Sequence, residues 1–328
     1  MHVTKKGTIM NRFVAILCAA LAATSAFAQY PAKPVRLVVG VPAGSTADAL
    51  ARVLAQGLGV SLGQPVLVYN KPGAEMAIAA DTVRDAAADG YTLALFEFSS
   101  MVATPLLNRN VTYDSRRDFA PISLVGHMTV AISVNPSFPG KSLGDLIDHA
   151  RANPGKLNYA SIGAMDALLA GLLMKATSTS MMRVNYKGPM QSLQDLMAGN
   201  IDVAINPLGA QLELAKDGRL RMLAVFGPNR DAQVPDVPTT TESGLPEVSF
   251  YGMWFGLFGP AKLPRDRVNF LAQKVNLLLM QPDMREKLAF RSLKPESSTP
   301  DALGALLKAD IERWSKIATE TGLALAAQ

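Results

Sequence analysis

The chain has 328 residues, 49% hydrophobic, 18% charged and 6% aromatic, with a formal net charge of +5 at neutral pH. This composition suits a globular protein of one large or two ordinary domains and excludes a disordered or fibrous chain. The pI near 9.3 is no sign of nucleic-acid binding: Lys5, Lys6 and Arg12 stand in an acid-free N-terminal segment, and the remainder holds 29 basic against 27 acidic residues without a basic cluster.

Residues 1–28 read as a cleavable signal peptide, with a basic start, an apolar run from Phe13 to Ala23 and the small-x-small site Ala26-Phe27-Ala28. The single cysteine, Cys18, lies inside that run behind Leu17, which is too large for a lipoprotein cleavage box. The expected product is an exported, soluble chain without a lipid anchor. With no cysteine left, it has no disulfide, thiol catalysis or Cys-bound metal.

Val35 to Val41 predicts a strand, and Pro42-Ala43-Gly44 a turn. Ser45 with Asp48 opens a helix that sets Leu50, Val53, Leu54 and Leu58 on one face. A strand from Val66 to Tyr69, a small-residue helix to about Ala88 and a strand from Thr92 to Phe96 follow. The alternation then restarts with a strand at Val130 to Val134, a helix capped by Ser142 and a strand from Leu157 to Ser161. Next come a helix around Leu168 to Ala176, a strand near Arg183 to Asn185, a helix from Pro189, a strand from Ile201 to Ile205, and one more helix and strand ending near Val225. Pro235 to Pro246 reads as a surface loop. Phe250 to Phe258 reads as a strand, before helices at Pro264 to Met280 and Pro300 to Gly322, the last capped by Thr299. Two successive runs of alternating strands and helices predict an α/β protein of two lobes, each a mostly parallel sheet flanked by helices. Crossovers are expected near Gly126 to Thr129 and Ser249 to Gly252, which divides the chain into residues 29–127 plus 253–328 and residues 128–252.

Catalytic signatures fail one by one. His2, His127 and His149 are scattered, Gly140-Lys141-Ser142 lacks the earlier glycine of a phosphate loop, and no serine occupies a Gly-x-Ser-x-Gly turn. The remaining candidates are loops at the carboxyl ends of strands, where open α/β sheets bind ligands. They are Pro42 to Asp48, Pro72 to Ala77, Phe96 to Ser100, Ser161 to Asp166, Tyr186 to Pro189 and Asn206 to Gly209, which would converge on a cleft between the lobes.

Tyr30-Pro31, Pro34-Val35-Arg36-Leu37-Val38-Val39, Pro42-Ala43-Gly44 with Asp48, Leu62-Gly63-Gln64-Pro65, Asn70-Lys71-Pro72-Gly73, Asp89-Gly90-Tyr91-Thr92, Asp118-Phe119-Ala120-Pro121, Pro154-Gly155-Lys156-Leu157, Tyr186-Lys187-Gly188 and Val237-Pro238-Thr239 stand in this order. Together they resemble the Bug family, the solute-binding receptors of tripartite tricarboxylate transporters, over essentially the whole chain after residue 28. The resemblance implies a periplasmic-binding-protein fold of the Venus-flytrap type (type II), two lobes closing on one ligand in the periplasm. It further implies delivery to the membrane permease subunits of a tripartite transporter, and a small carboxylate held by backbone N–H groups, hydroxyls and water. A monomer is expected, with no cofactor, no metal and no nucleic acid.

The sequence departs from the family where ligand contacts are expected. Ser45 replaces a glycine; Glu75 and Met76 replace a glycine pair; Glu97 and Phe98 stand before Ser99 in a normally Gly/Ser/Thr loop; Ala164, Met165 and Asp166 displace hydroxyls and a histidine; and Asn206 replaces an aspartate. The expected ligand set is Ala43, Gly44, Ser45, Glu75, Met76, Glu97, Phe98, Ser99, Ser161, Gly163, Ala164, Met165, Asp166, Tyr186 and Asn206. Three carboxyls around one site would repel an anion, by roughly 4 kcal/mol per pair at 4 Å and an effective dielectric near 20. The ligand would then be an amine, a zwitterion or a nitrogen heterocycle, with Phe96 or Phe98 as an aromatic wall.

Plainer roles compete residue by residue: Asp48 and Asp166 as helix caps, Glu75 in solvent, Phe98 and the Phe250/Trp254 group in the core, Met76 and Met165 as gap fillers, and Lys187 solvated. Two other functions share the scaffold. One is a secreted hydrolase using Glu75, Glu97 or Asp166 as acid and base; the other is a receptor that shows its closed form to a sensor protein.

Overall fold

The structure is a computed structural model describing residues 30–289 and 292–323; the signal-peptide reading falls outside the described residues. The first sheet starts with β1 (Val35–Val39), α1 (Thr46–Leu62), β2 (Val66–Asn70), α2 (Ala77–Arg84) and β3 (Thr92–Glu97). The Ser45 Oγ accepts the Asp48 N–H at 3.2 Å and starts α1, and Gly63, in the left-handed region, ends it. After β3 a wide helical turn at Ser99–Ala103 runs into the short α3 (Thr104–Leu107), and β4 (Phe119–Met128) follows. Only Thr129 separates β4 from β5 (Val130–Val134), the first strand of the second sheet.

The second sheet is completed by α4 (Leu143–Ala152), β6 (Asn158–Ser161), α5 (Ala164–Thr177), β7 (Met182–Asn185), α6 (Pro189–Ala198), β8 (Val203–Pro207), α7 (Leu208–Lys216) and β9 (Arg221–Val225). The chain returns to the first sheet as β10 (Met253–Pro260) and ends with α8 (Arg265–Leu279), α9 (Pro282–Ala289), β11 (Leu293–Pro295) and α10 (Pro300–Glu320). The strand orders are β11-β4-β10-β3-β1-β2 and β7-β6-β8-β5-β9.

The architecture is the expected pair of α/β lobes, but each sheet is mixed rather than mostly parallel. β1 pairs parallel with β2 and β3, and β6 with β7 and β8, whereas β10 is antiparallel to β3 and β4, and β5 to β8 and β9. Crossing is the reason. A strand that carries the chain out of a sheet and one that brings it back must point in opposite directions, and here they are neighbours. The strand β4, the short β11 and the helix α9 add to the predicted elements, and β8 starts two residues later than its apolar run.

At the crossing, Thr129 Oγ1 donates to Asp231 at 2.5 Å, and Lys294 of the first sheet reaches the same carboxylate at 2.9 Å. Gly252 beside them has φ +121°, and a Cβ there would stand 2.7 Å from the Met128 carbonyl oxygen. Only glycine fits this position.

One apolar cluster joins the two sheets. Ala164 to Leu173 of α5 are buried on every side, as expected of a helix packed all round. This helix lies against α10 and the Ser99–Ala103 turn. Next to it Phe98, Phe250, Trp254 and Trp314 form edge-to-face contacts with centroids 4.9 to 6.4 Å apart. Trp314→Ala should therefore cost about 3–5 kcal/mol of stability by urea unfolding, the loss expected for a fully buried tryptophan.

Candidate functional site

The first loop is held by a single carboxylate. Asp48 accepts the Gly44 N–H at 2.9 Å, Asn70 Nδ2 at 2.8 Å and Arg52 Nε at 3.0 Å, and Asn70 also donates to the Val41 carbonyl at 3.0 Å. Burial works to raise the Asp48 carboxyl, but Arg52, the Gly44 N–H and Asn70 outweigh it and keep it below the usual range. The second loop is bent by backbone: Ala74, Glu75 and Met76 all have left-handed φ, at 46°, 50° and 75°. Three such non-glycine residues in a row store strain of the kind found at ligand sites. The bend lays Met76 over Gly40, where a Cβ would come within 2.6 Å of the Met76 Cβ.

These loops and their counterparts on the second sheet surround a cavity of about 270 Å³. Of the expected ligand set it brings together Ser45, Glu75, Met76, Glu97, Ser99, Gly163, Ala164, Met165, Asp166 and Asn206. The other five stand elsewhere. Ala43 is exposed, and Gly44 spends its N–H on Asp48. Ser161 turns its hydroxyl to the Gly163 carbonyl, and Tyr186 donates to Asp195 at 2.7 Å. Phe98 is wholly buried because the backbone coils at this residue (φ −45°, ψ −43°), which turns the ring away from the cavity and onto Trp314. Phe96 packs on Phe119 and Phe258 instead. The aromatic side chain in the wall is Phe255 of β10, joined by Met128 and Met253 from the crossing strands and by Ile205 and Pro207 at the end of β8. Their apolar runs mark them as core, and nothing in those runs tells core from cavity wall.

The wall is mostly apolar, and among the described residues no lysine, arginine or histidine lines it. Its three carboxyls stand in different environments. Glu75 is exposed. Asp166, 4% exposed, accepts the backbone N–H groups of Ile162 and Gly163 at the start of α5, so it caps the helix; burial still lifts it to about 6. Glu97, the last residue of β3, is 7% exposed and, among the described residues, its carboxyl receives no hydrogen bond; burial alone pushes it from 4.5 to about 7. On the opposite sheet Asn206 is 1% exposed and its buried Oδ1 has no partner among the described residues. Sequence reasoning had no means to separate these cases, since a carboxyl's hydrogen-bond partners depend on the backbone around it. Among the described residues no cluster of three His, Cys, Asp or Glu could hold a metal, and no helix is long and apolar enough to cross a membrane.

Residues 50–323 match the family described as tripartite tricarboxylate transporter family receptor. The chain is 33% identical to protein BugT of Bordetella pertussis (strain Tohama I) over 328 residues, 99% of this chain and all of that one. Among solved structures it is similar to R. palustris Rpa4515 with adipate (31% identity, TM-score 0.81, 90% of this chain and 99% of that one). It is also similar to the periplasmic binding protein BugD (27% identity, TM-score 0.78, 90% and 99%).

Both buried carboxyls have pKa values raised by folding, so the folded chain holds protons more tightly than the unfolded chain. Their effect on stability is most favourable below about pH 4 and is lost as the pH rises through about 6 for Asp166 and about 7 for Glu97. A displacement from 4.5 to about 7 corresponds to a cost of about 3 kcal/mol for ionising Glu97 at this site. Glu97→Gln should raise the Tm at about pH 8 and leave it nearly unchanged at about pH 5, as read by a pair of thermal melts.

Proposed function

The chain belongs to the tripartite tricarboxylate transporter family of receptors, the Bug family, and we propose that it captures a small organic cation between its lobes and presents it to a tripartite membrane permease. Members of this family are solute-binding receptors of the periplasm, so the working chain would be the exported product after removal of residues 1–28. Residues 29–127 with 253–328 would form one lobe, and residues 128–252 the other.

The observation that carries the ligand class is the charge of the wall. Glu75, Glu97 and Asp166 line a mostly apolar cavity to which, among the described residues, no basic side chain contributes. A dicarboxylate such as the adipate of the R. palustris relative would meet carboxyls without a neutralising cation, whereas an amine, a protonated heterocycle or a zwitterion would supply the missing charge. Phe255 stands in the same wall, where its ring would add a cation–π contact. About 270 Å³ leaves room for roughly ten non-hydrogen atoms, judged from the volume of liquid water.

Binding would act through closure. The lining is shared between the sheets, with Ser45, Glu97 and Phe255 from one and Ala164, Asp166 and Asn206 from the other. A ligand that touches both favours the closed arrangement by its differential contacts, and that arrangement is what a permease reads. A hydrolytic role would need an acid–base pair, yet Asp166 is already committed to the start of α5.

The test is a thermal-shift comparison of the mature protein with alkylammonium and N-heterocyclic compounds on one side and dicarboxylates on the other. A binder at about one hundred times its Kd stabilises by about 2.7 kcal/mol. Shifts with the nitrogen compounds alone, the compound being recovered unchanged, are expected. Comparable shifts with adipate would overturn the ligand class.

A further inference from the structure

Resting on the reading of the cavity as a cation site, we propose that Glu97 is its charge-selecting residue, holding a proton in the empty cavity and giving it up to solvent when a cationic ligand takes its place. The exchange balances. A neutral carboxyl and a cation enter, and a carboxylate–cation pair and one released proton leave.

Geometry singles Glu97 out from the three carboxyls. Glu75 is exposed, so water already stabilises its charge and a ligand gains little by replacing that water. Asp166 gives its oxygens to the N–H groups of Ile162 and Gly163 and serves the helix whether or not a ligand is present. Glu97 lies in the wall of the cavity, opposite Phe255 in the β3–β10 ladder, with its N–H turned to Ser100 Oγ at 3.2 Å and no donor, among the described residues, to its carboxyl. A carboxyl so placed, without a protein donor and facing a mostly apolar wall, gains from either a proton or a cation.

The titratable groups on the elements packed around Glu97 supply no such cation. Asp48 on α1 is taken up with Arg52, and Glu75 and Asp166 carry the same sign. The Tyr113 hydroxyl donates to the Ser100 carbonyl, Asp310 accepts from Trp254 Nε1 at 2.7 Å, and Arg84 of α2 is paired with Asp81 and Asp85. Burial is the single cause of the upward displacement of the Glu97 carboxyl, with no charged neighbour contributing, and it brings the group to about 7, inside the range where the exchange can occur. The ligand therefore meets a selective threshold. A neutral molecule leaves the proton where it is, and a cation that displaces it gains a carboxylate as its partner.

The experiment is isothermal calorimetry with cyclohexylammonium, which stays charged from about pH 5.5 to about pH 8, in two buffers of different ionisation enthalpy. Support is an affinity that rises up to about tenfold per pH unit below about pH 7 and levels off above it, with close to one proton released per ligand at the acid end. Glu97→Gln should abolish both the slope and the proton release, and Asp166→Asn should keep them. Binding of the cation without slope or proton release overturns the role of Glu97 and leaves the cation reading intact, as does a slope that disappears in Asp166→Asn and survives in Glu97→Gln. No binding of the cation, with adipate bound instead, overturns both.

Discussion

The antiparallel ladder between β4 and β10, running from Met253 opposite Met128 to Pro260 opposite Phe119, is the constraint on which the rest of the molecule depends. It joins the strand that leaves the first sheet to the strand that returns to it, so both crossings lie side by side. From that follow the directions of everything else. β3 ends where β10 begins, β8 ends where β5 begins, and the loops after β1, β2, β3, β6 and β8 open on the same space. The cavity is thus a product of chain direction, and its floor is the crossing itself, through Met128, Met253 and Phe255.

Two further features are arranged around this floor. The helix α5 is apolar on all sides and fills the space between the sheets, so its N-terminus, with the cap provided by Asp166, is delivered to the cavity. The Thr129–Asp231–Lys294 contact sits at the crossing and ties the first sheet to the segment that follows β9. Gly252, with its left-handed φ, lies at the same point. The buried Glu97 and the left-handed run Ala74–Glu75–Met76 are two places in the cavity wall where local structure is held against its own preference, the first by burial and the second by backbone conformation.

Much of the fold was legible in the residues. Ser45 with Asp48, Ser142 with Asp145 and Thr299 before Pro300 are local signals, and each caps its helix in the structure because a cap needs only a few neighbouring residues. The period-2 and apolar runs located most strands for the same reason. β4 and β11 were not legible, because Phe119 to Met128 mixes apolar residues with Pro121, Ser123, Gly126 and His127, and the three residues of β11 are a strand only by pairing with β4. The mixed pairing was hidden too, since strand direction belongs to the path of the chain and not to any window of it.

For the site, the order of motifs along the chain was enough to indicate a receptor of this family, and the departures at Glu75, Glu97 and Asp166 were visible as residue types in particular loops. The sequence by itself determined which groups could be present: three carboxyls, a methionine in place of a glycine at position 76, and, beyond residue 28, no cysteine. Tertiary structure alone decided what each group does. Asp166 became a cap because the Ile162 and Gly163 N–H groups point at it, Phe98 left for the core because its backbone coils, and Glu97 was left without a partner because, among the described residues, the folded chain brings no donor to its carboxyl in the cavity wall. Helix caps and apolar periodicity act between neighbours in sequence, whereas burial and the pairing of a charge depend on segments brought from a distance, and so they exist only once the chain has folded.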